Sequence, residues 1–135
     1  IAADADRMGA LASHVARTAL RRHPQRAVPA EVLDLFSDVG ATAVRLAAQA
    51  GDAVRTGHTG AAERVCAGDE RMDDLHRELF TRVMGPGWLH GPMVAADLVL
   101  LGRFYERFAD HTVEIARRVY FQATGAHLGE SGRSA

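Results

Sequence analysis

The stretch GPMVAADLVLLGRFYERFADHTVEIARRVYFQATG, residues 91–125, decides the fold. Val94, Leu98, Leu101, Tyr105, Phe108, Thr112, Ile115 and Val119 recur along it in alternating steps of four and three. That spacing places them on one side of an α-helix and is incompatible with the alternation of a half-buried strand. Pro92 suits a first helical turn, and Gly125 suits the left-handed residue that ends a helix. A helix over 92–124 follows. Ala95, Gly102, Ala109, Ala116 and Ala123 form a second stripe of small residues beside the first. Together the stripes cover roughly 180° of the helix, against the ~100° of a one-sided surface helix. This helix is therefore expected to touch two partners, as the central member of a bundle or across a dimer interface. A symmetric homodimer is the simplest version of the latter.

In the middle of that helix stand Glu106-Arg107-Phe108-Ala109-Asp110-His111. Glu106 shares its row with Val99, Val113 and Tyr120, so it lies at the edge of the core. Asp110 is one turn further. Like charges at this spacing repel by a few tenths of a kcal/mol when exposed, and by more when buried. The pair calls for something positive: Arg103, Arg107 or a metal ion.

Working outward, proline and glycine cut the rest of the chain into three more helices. One runs from about Ala3 to Arg22 and stops before Pro24. One starts near Pro29 and fades at Gly57, with Val32, Phe36, Val39, Ala43, Leu46, Ala50 and Ala53 as its seam. One runs from about Gly60 to Met84 and closes at Gly85-Pro86-Gly87. At 1.5 Å per residue the last three helices are rods of roughly 35 to 50 Å. Long amphipathic rods on short turns make an all-α, antiparallel three-helix bundle over 29–124. The helix at 1–23 precedes it, 24–28 is a linker, and 125–135 is expected to be a flexible tail.

The composition narrows the class. An apolar fraction of 47% excludes general disorder, and 135 residues suffice for one domain with a real core. A net charge of −1 with no clustered basic face gives no reason to expect nucleic acid. No apolar run approaches the ~18 residues of a membrane span, so any membrane contact is expected through partners. The single cysteine, Cys66, and the lack of a signal peptide point to a reducing, cytoplasmic setting. Ile1 at the start, already inside a helical pattern, points to a truncation.

The chain also echoes itself at a shift of one hundred residues. Asp6-Arg7-Met8-Gly9 falls on Glu106-Arg107-Phe108-Ala109, and Val15-Ala16-Arg17 falls on Ile115-Ala116-Arg117. The first helix then reads as the last helix of an earlier copy of the bundle. Its apolar face would be Met8, Leu11, Val15 and Ala19.

Acids recur on the other helices. On the third, the seam Val65, Met72, Leu79 is interrupted by Asp69, followed along the same face by Asp73 and His76. Glu70 and Asp74 form a parallel pair beside them, and Asp34 and Asp38 stand four apart on the second helix. An acid in an apolar seam is costly unless paired, protonated or bound to a metal. Oxygen clusters with an occasional imidazole suit iron, zinc, manganese, magnesium or calcium. The plain alternative is a solvated face balanced by arginines.

These residues resemble the PhoU family. The run Glu106-Arg107-Phe108-Ala109-Asp110-His111, then Ile115-Ala116 and Thr124-Gly125, is similar to that family's signature. Asp69 to His76 resembles its second acidic motif, and the wording around Leu100 to His111 looks actinobacterial. The resemblance implies one three-helix repeat from Pro29 to Gly125, preceded by the third helix of another repeat. It also implies a cytoplasmic negative regulator of the phosphate-starvation response and phosphate uptake. Such a protein relays the state of the phosphate transporter's ATPase to a sensor histidine kinase by binding. It further implies an iron or zinc cluster on Asp69, Asp73, Glu106 and Asp110, with Glu70 and Asp74 in a second register. One departure stands out: Ala10 falls where the earlier repeat needs an acid.

Two other readings compete. A di-iron carboxylate enzyme needs two Glu-x-x-His motifs, and this chain has one relative of that motif, Asp73-x-x-His76. A metal-free adaptor would instead use the acidic pairs to hold a partner's arginines. The regulatory reading is therefore one of binding, not catalysis.

Overall fold

The computed structural model describes residues 1–128. Four helices follow in order: α1 Ala2–Arg22, α2 Leu33–Thr56, α3 Thr59–Met84 and α4 Gly91–Thr124. No strand occurs among the described residues. The flexible tail expected over 125–135 lies, past Leu128, outside them.

The helix ends follow local chemistry. Gly57 and Gly125 adopt positive φ, and their N–H groups close on the Ala53 and Phe121 carbonyls. A side chain there would strain the backbone, so glycine ends both helices cleanly. At the start of α2 the sequence reading needs a small correction. Pro29 is extended, Ala30–Val32 form one 3-10 turn, and the α-helix starts only at Leu33. Val32 is rotated out of helical geometry (φ −123°, ψ 10°) and is buried, so core packing sets the break.

α2, α3 and α4 form the three-helix bundle. Arg71 pairs with Asp38 and Arg82 with Asp34, which fixes α2 and α3 antiparallel. His76 faces Glu106, and Leu79 faces Gly102, which fixes α3 and α4 antiparallel. α2 also packs on α4, and α1 packs on α4 on its other side. α4 is therefore the central member of the bundle, and most of its two apolar stripes is covered within the chain; Val94, Tyr105 and Phe108 are half-buried and Ala123 is exposed.

The core is built from the expected seams. All seven seam residues named on α2 are buried, as are Val65, Met72 and Leu79 of α3. Fully buried leucines and methionine of this kind contribute about 2 kcal/mol each relative to exposure. Two glycines let the rods approach. A Cβ on Gly68 would lie 2.8 Å from Leu46 Cδ2, and one on Gly102 would lie 2.5 Å from Leu79 Cδ2. Each leucine thus seats over a glycine of the neighbouring helix.

α1 departs from its expected face at one position. Leu11 is buried and Met8 and Val15 are half-buried, but Ala19 is exposed and Thr18 takes its place. The Thr18 hydroxyl donates to the His14 carbonyl at 2.9 Å, so its polar atom is satisfied inside the seam. Asp4 is buried on the same face.

Candidate functional site

The four expected acids lie along the facing sides of α3 and α4, close enough to influence one another's charge. Asp69 is half-buried, because it occupies the seam position between Val65 and Met72. Glu106 is half-buried at the edge of α4, while Asp73 and Asp110 are exposed on the rim. Burial pushes the Asp69 carboxyl up to about 6, helped by the charges of Asp73, Asp110 and Glu106 and opposed by Arg117. Asp110 is also raised, by partial desolvation and then by Glu106, with Arg103 opposing. The mutual coupling places all four acids in one electrostatic neighbourhood.

Their cations are few. Arg103 donates to Glu106 Oε2 at 2.7 Å, which also raises the guanidinium's own pKa. Arg107, the other arginine offered by the sequence, is exposed and makes no ion pair among the described residues. Asp69, Asp73 and Asp110 have no ion-pair partner among the described residues either. The remaining acids behave differently. Asp34 and Asp38 are tied to Arg82 and Arg71, and Asp74 to Arg77 at 2.8 Å. Glu70 and Asp74 are both exposed, in the second register of the motif. Asp34, Asp38 and Asp74 form the solvated, arginine-balanced faces, and Glu70 is solvated without an arginine partner among the described residues.

His76 joins the acidic neighbourhood. Its Nε2 lies 3.6 Å from Glu106 Oε2, and its buried Nδ1 has no hydrogen-bond partner. The ring sits beside Gly102, with Nδ1 3.5 Å from where a Cβ there would stand. The ring thus turns Nε2 toward Glu106 and leaves Nδ1 unpaired on its Gly102 side; an imidazole nitrogen and carboxylates are the donor types a cation site uses. Among the described residues, however, no three His, Cys, Asp or Glu side chains are gathered into a ready coordination shell. A metal here would have to draw the acids together.

The raised Asp69 has a consequence for stability. Its folded value lies above the unfolded one, so the folded state holds more protons between about pH 4 and 6. Stability at this site therefore falls as pH rises through that window, and the cost is complete above it. Removing the charge with Asp69→Asn is expected to stabilise the metal-free protein by about 1 kcal/mol at pH 8, after discounting for solvent screening. At pH 4 the gain should vanish. Urea unfolding at both pH values measures it, and an equal effect at both would refute the electrostatic cause.

A second cluster was not legible in the sequence. His111 Nδ1 lies 3.2 Å from Asp4 Oδ1, joining α4 to α1, and Arg118 Nε approaches Asp4 Oδ2 at 3.8 Å. Both the histidine and the aspartate are largely buried. The two residues are 107 positions apart, and nothing local marks Asp4 as an inward acid.

An all-helical bundle whose two facing helices carry acidic pairs at helical spacing is a defined class of protein. The family model described as the PhoU domain matches residues 36–119, more than half of the chain, and the chain belongs to that family. It is 56% identical over 124 residues to the "Phosphate-specific transport system accessory protein PhoU homolog 2" of Mycobacterium tuberculosis, covering 92% of this chain and 58% of that protein. It is 54% identical over 121 residues to homolog 1 of Mycobacterium leprae, covering 90% and 54%. It is 42% identical to homolog 1 of Mycobacterium tuberculosis over 125 residues, covering 93% and 57%. The chain thus spans a little over half the length of these curated relatives. No solved structure matches it significantly.

Proposed function

We propose that this chain belongs to a cytoplasmic negative regulator of phosphate uptake and of the phosphate-starvation response. It would relay the state of the phosphate ABC transporter's ATPase to a sensor histidine kinase by binding. The observation that carries this is the 56% identity to a relative named as an accessory protein of the phosphate-specific transport system. The under-compensated acids of α3 and α4 support a docking surface, since Asp69, Asp73 and Asp110 can accept a partner's arginines. α1 would be the last helix of a preceding repeat, with α2, α3 and α4 forming the repeat that follows. α1 covers part of the apolar excess of α4, and a symmetric homodimer, measured by light scattering, would cover more of it.

The regulatory reading is tested by co-purification. A folded bait from phosphate-replete cells is expected to retain the transporter ATPase or the sensor kinase. Recovery of neither would overturn it.

One observation favours a second reading, in which the same acids hold iron or zinc: the Asp69 carboxyl is pushed up to about 6 by burial and by the charges of Asp73, Asp110 and Glu106. Asp69, Asp73, Glu106 and Asp110 would hold the metal, and the bound cation would supply the positive charge the site lacks. Protein purified without added metal should then carry iron or zinc, lost in the Glu106→Ala, Asp110→Ala double variant. Substoichiometric metal unchanged in that variant would remove the metal and leave the adaptor.

A further inference from the structure

One end of the bundle is apolar and basic at once. It is formed by the C-terminal ends of α1 and α3, the 85–90 connection and the start of α4. Arg22 of α1 pairs with Asp97 of α4, and His90 holds Glu31 of the 3-10 turn at 2.9 Å, so these segments meet. Large apolar side chains protrude there: Leu89 is 88% exposed, Met93 79%, Leu20 73% and Met84 62%. The segment carrying Leu89 is a tight Gly85-Pro86-Gly87 turn, braced by Trp88, whose Nε1 donates to the Gly91 carbonyl at 2.9 Å. Leu89 and Met93 therefore project from a fixed tip; they do not hang from a loose loop.

The charge at this end is lopsided. No acid occurs between Asp6 and Glu31, while Arg17, Arg21, Arg22 and Arg26 do. Among the described residues, Arg17, Arg21 and Arg26 have no carboxylate partner. The acids near the tip are already used: Asp97 by Arg22, Glu31 by His90, Asp34 and Glu78 by Arg82. With His90 neutral, the five arginines Arg17, Arg21, Arg22, Arg26 and Arg82 face these four carboxylates, an excess of one positive charge that falls on the α1 side.

We propose that this end docks directly on an anionic membrane surface, with Leu89 and Met93 entering the headgroup boundary and Arg17, Arg21 and Arg26 meeting lipid phosphates. Exposed apolar residues beside uncompensated arginines are the combination that binds peripheral proteins to anionic lipid. A protruding tip suits a fluid surface that deforms around it. A second copy is disfavoured, because end-to-end contact would bring the same arginines together. Among the described residues no helix is long and apolar enough to cross a membrane, and the contact proposed is peripheral. The inference goes beyond the regulatory role, in which the membrane is reached only through partners, and does not depend on it.

Trp88 is the single tryptophan and sits at the tip, which makes it a native reporter. The full chain is titrated with vesicles of phosphatidylcholine alone and of phosphatidylcholine with phosphatidylglycerol. The anionic vesicles should shift Trp88 emission to the blue and carry the protein in flotation, and high salt should weaken both. Leu89→Asp with Met93→Asp should reduce binding at least tenfold with unchanged helical circular dichroism. Arg17→Gln and Arg21→Gln should each cost about fivefold. No shift with anionic vesicles, or binding untouched by the apolar double variant, overturns the proposal. So does a self-associated species that Leu89→Asp converts to monomer while vesicles bind nothing, because the occupant is then a second copy.

Discussion

Leu79→Ala is expected to lower the unfolding free energy by about 3 kcal/mol, within the range for a buried leucine whose site cannot fully collapse. Leu79 is 1% exposed and lies where α3 seats over Gly102 of α4. Gly102→Ala attacks the same contact from the other side. Its new methyl would stand 2.5 Å from Leu79 Cδ2, far inside normal contact. Overpacking of this kind costs about 2 kcal/mol, and the better helix propensity of alanine returns about 1 of it. The double variant decides the matter: the alanine methyl enters the space that Leu79 vacates. It should be more stable than the sum of the single variants predicts, by about 1 kcal/mol. Denaturant unfolding of the four proteins, followed by circular dichroism, measures the coupling. Strict additivity would mean that the leucine and the glycine do not share one space.

The second large effect concerns α1. Asp4→Ala should release this helix from α4 at a cost of about 2 kcal/mol, the scale of a hydrogen bond to a charged group. Burial pushes the Asp4 carboxyl up, while the hydrogen bond with His111 and then the charge of Arg118 pull it down, and it lies below its ordinary value. Its stabilisation is therefore present above the unfolded value near 4 and is lost as pH falls through the lower folded value. Hydrogen exchange gives the readout. Amide protection in α1 should drop about thirtyfold at neutral pH, with α2 and α3 nearly unchanged. The variant should also lose any acid-induced opening of α1 below pH 4. Uniform loss of protection across all four helices would show that α1 is not held separately.

The helices themselves were plain in the sequence because their signals are local. Proline and glycine mark the breaks, and steps of three and four place Leu46, Met72 and Leu98 in the core, where they are found. The central position of α4 was also legible, from the small-residue stripe through Gly102 and Ala109, both of which are buried. The start of α2 was misplaced by a few residues, because the break at Val32 comes from packing and leaves no mark on local propensity. The inward turn of Thr18 in place of Ala19 was hidden for a related reason: its hydroxyl is satisfied by its own helix. At the candidate site, the interruption of the α3 seam at Asp69 announced itself, and Asp69 carries the largest perturbation there. The clasp between Asp4 and His111 could not be read, since a contact between the two ends of a chain has no sequence spacing to betray it.

The central placement of α4 also governs the order in which this chain can be assembled. Of the four helices described, α1 leaves the ribosome before α2 and α3, yet it packs on α4, which follows them. α2 and α3 adjoin in sequence and can pair as a hairpin while synthesis continues. Leu11 and its neighbours on α1 must meanwhile stay uncovered, through the time needed to make some seventy residues at roughly 5–20 per second. That interval of seconds is long compared with the microseconds in which helices form. The nascent chain therefore presents a ready-made amphipathic helix to any chaperone waiting at the tunnel exit, until α4 arrives to claim it.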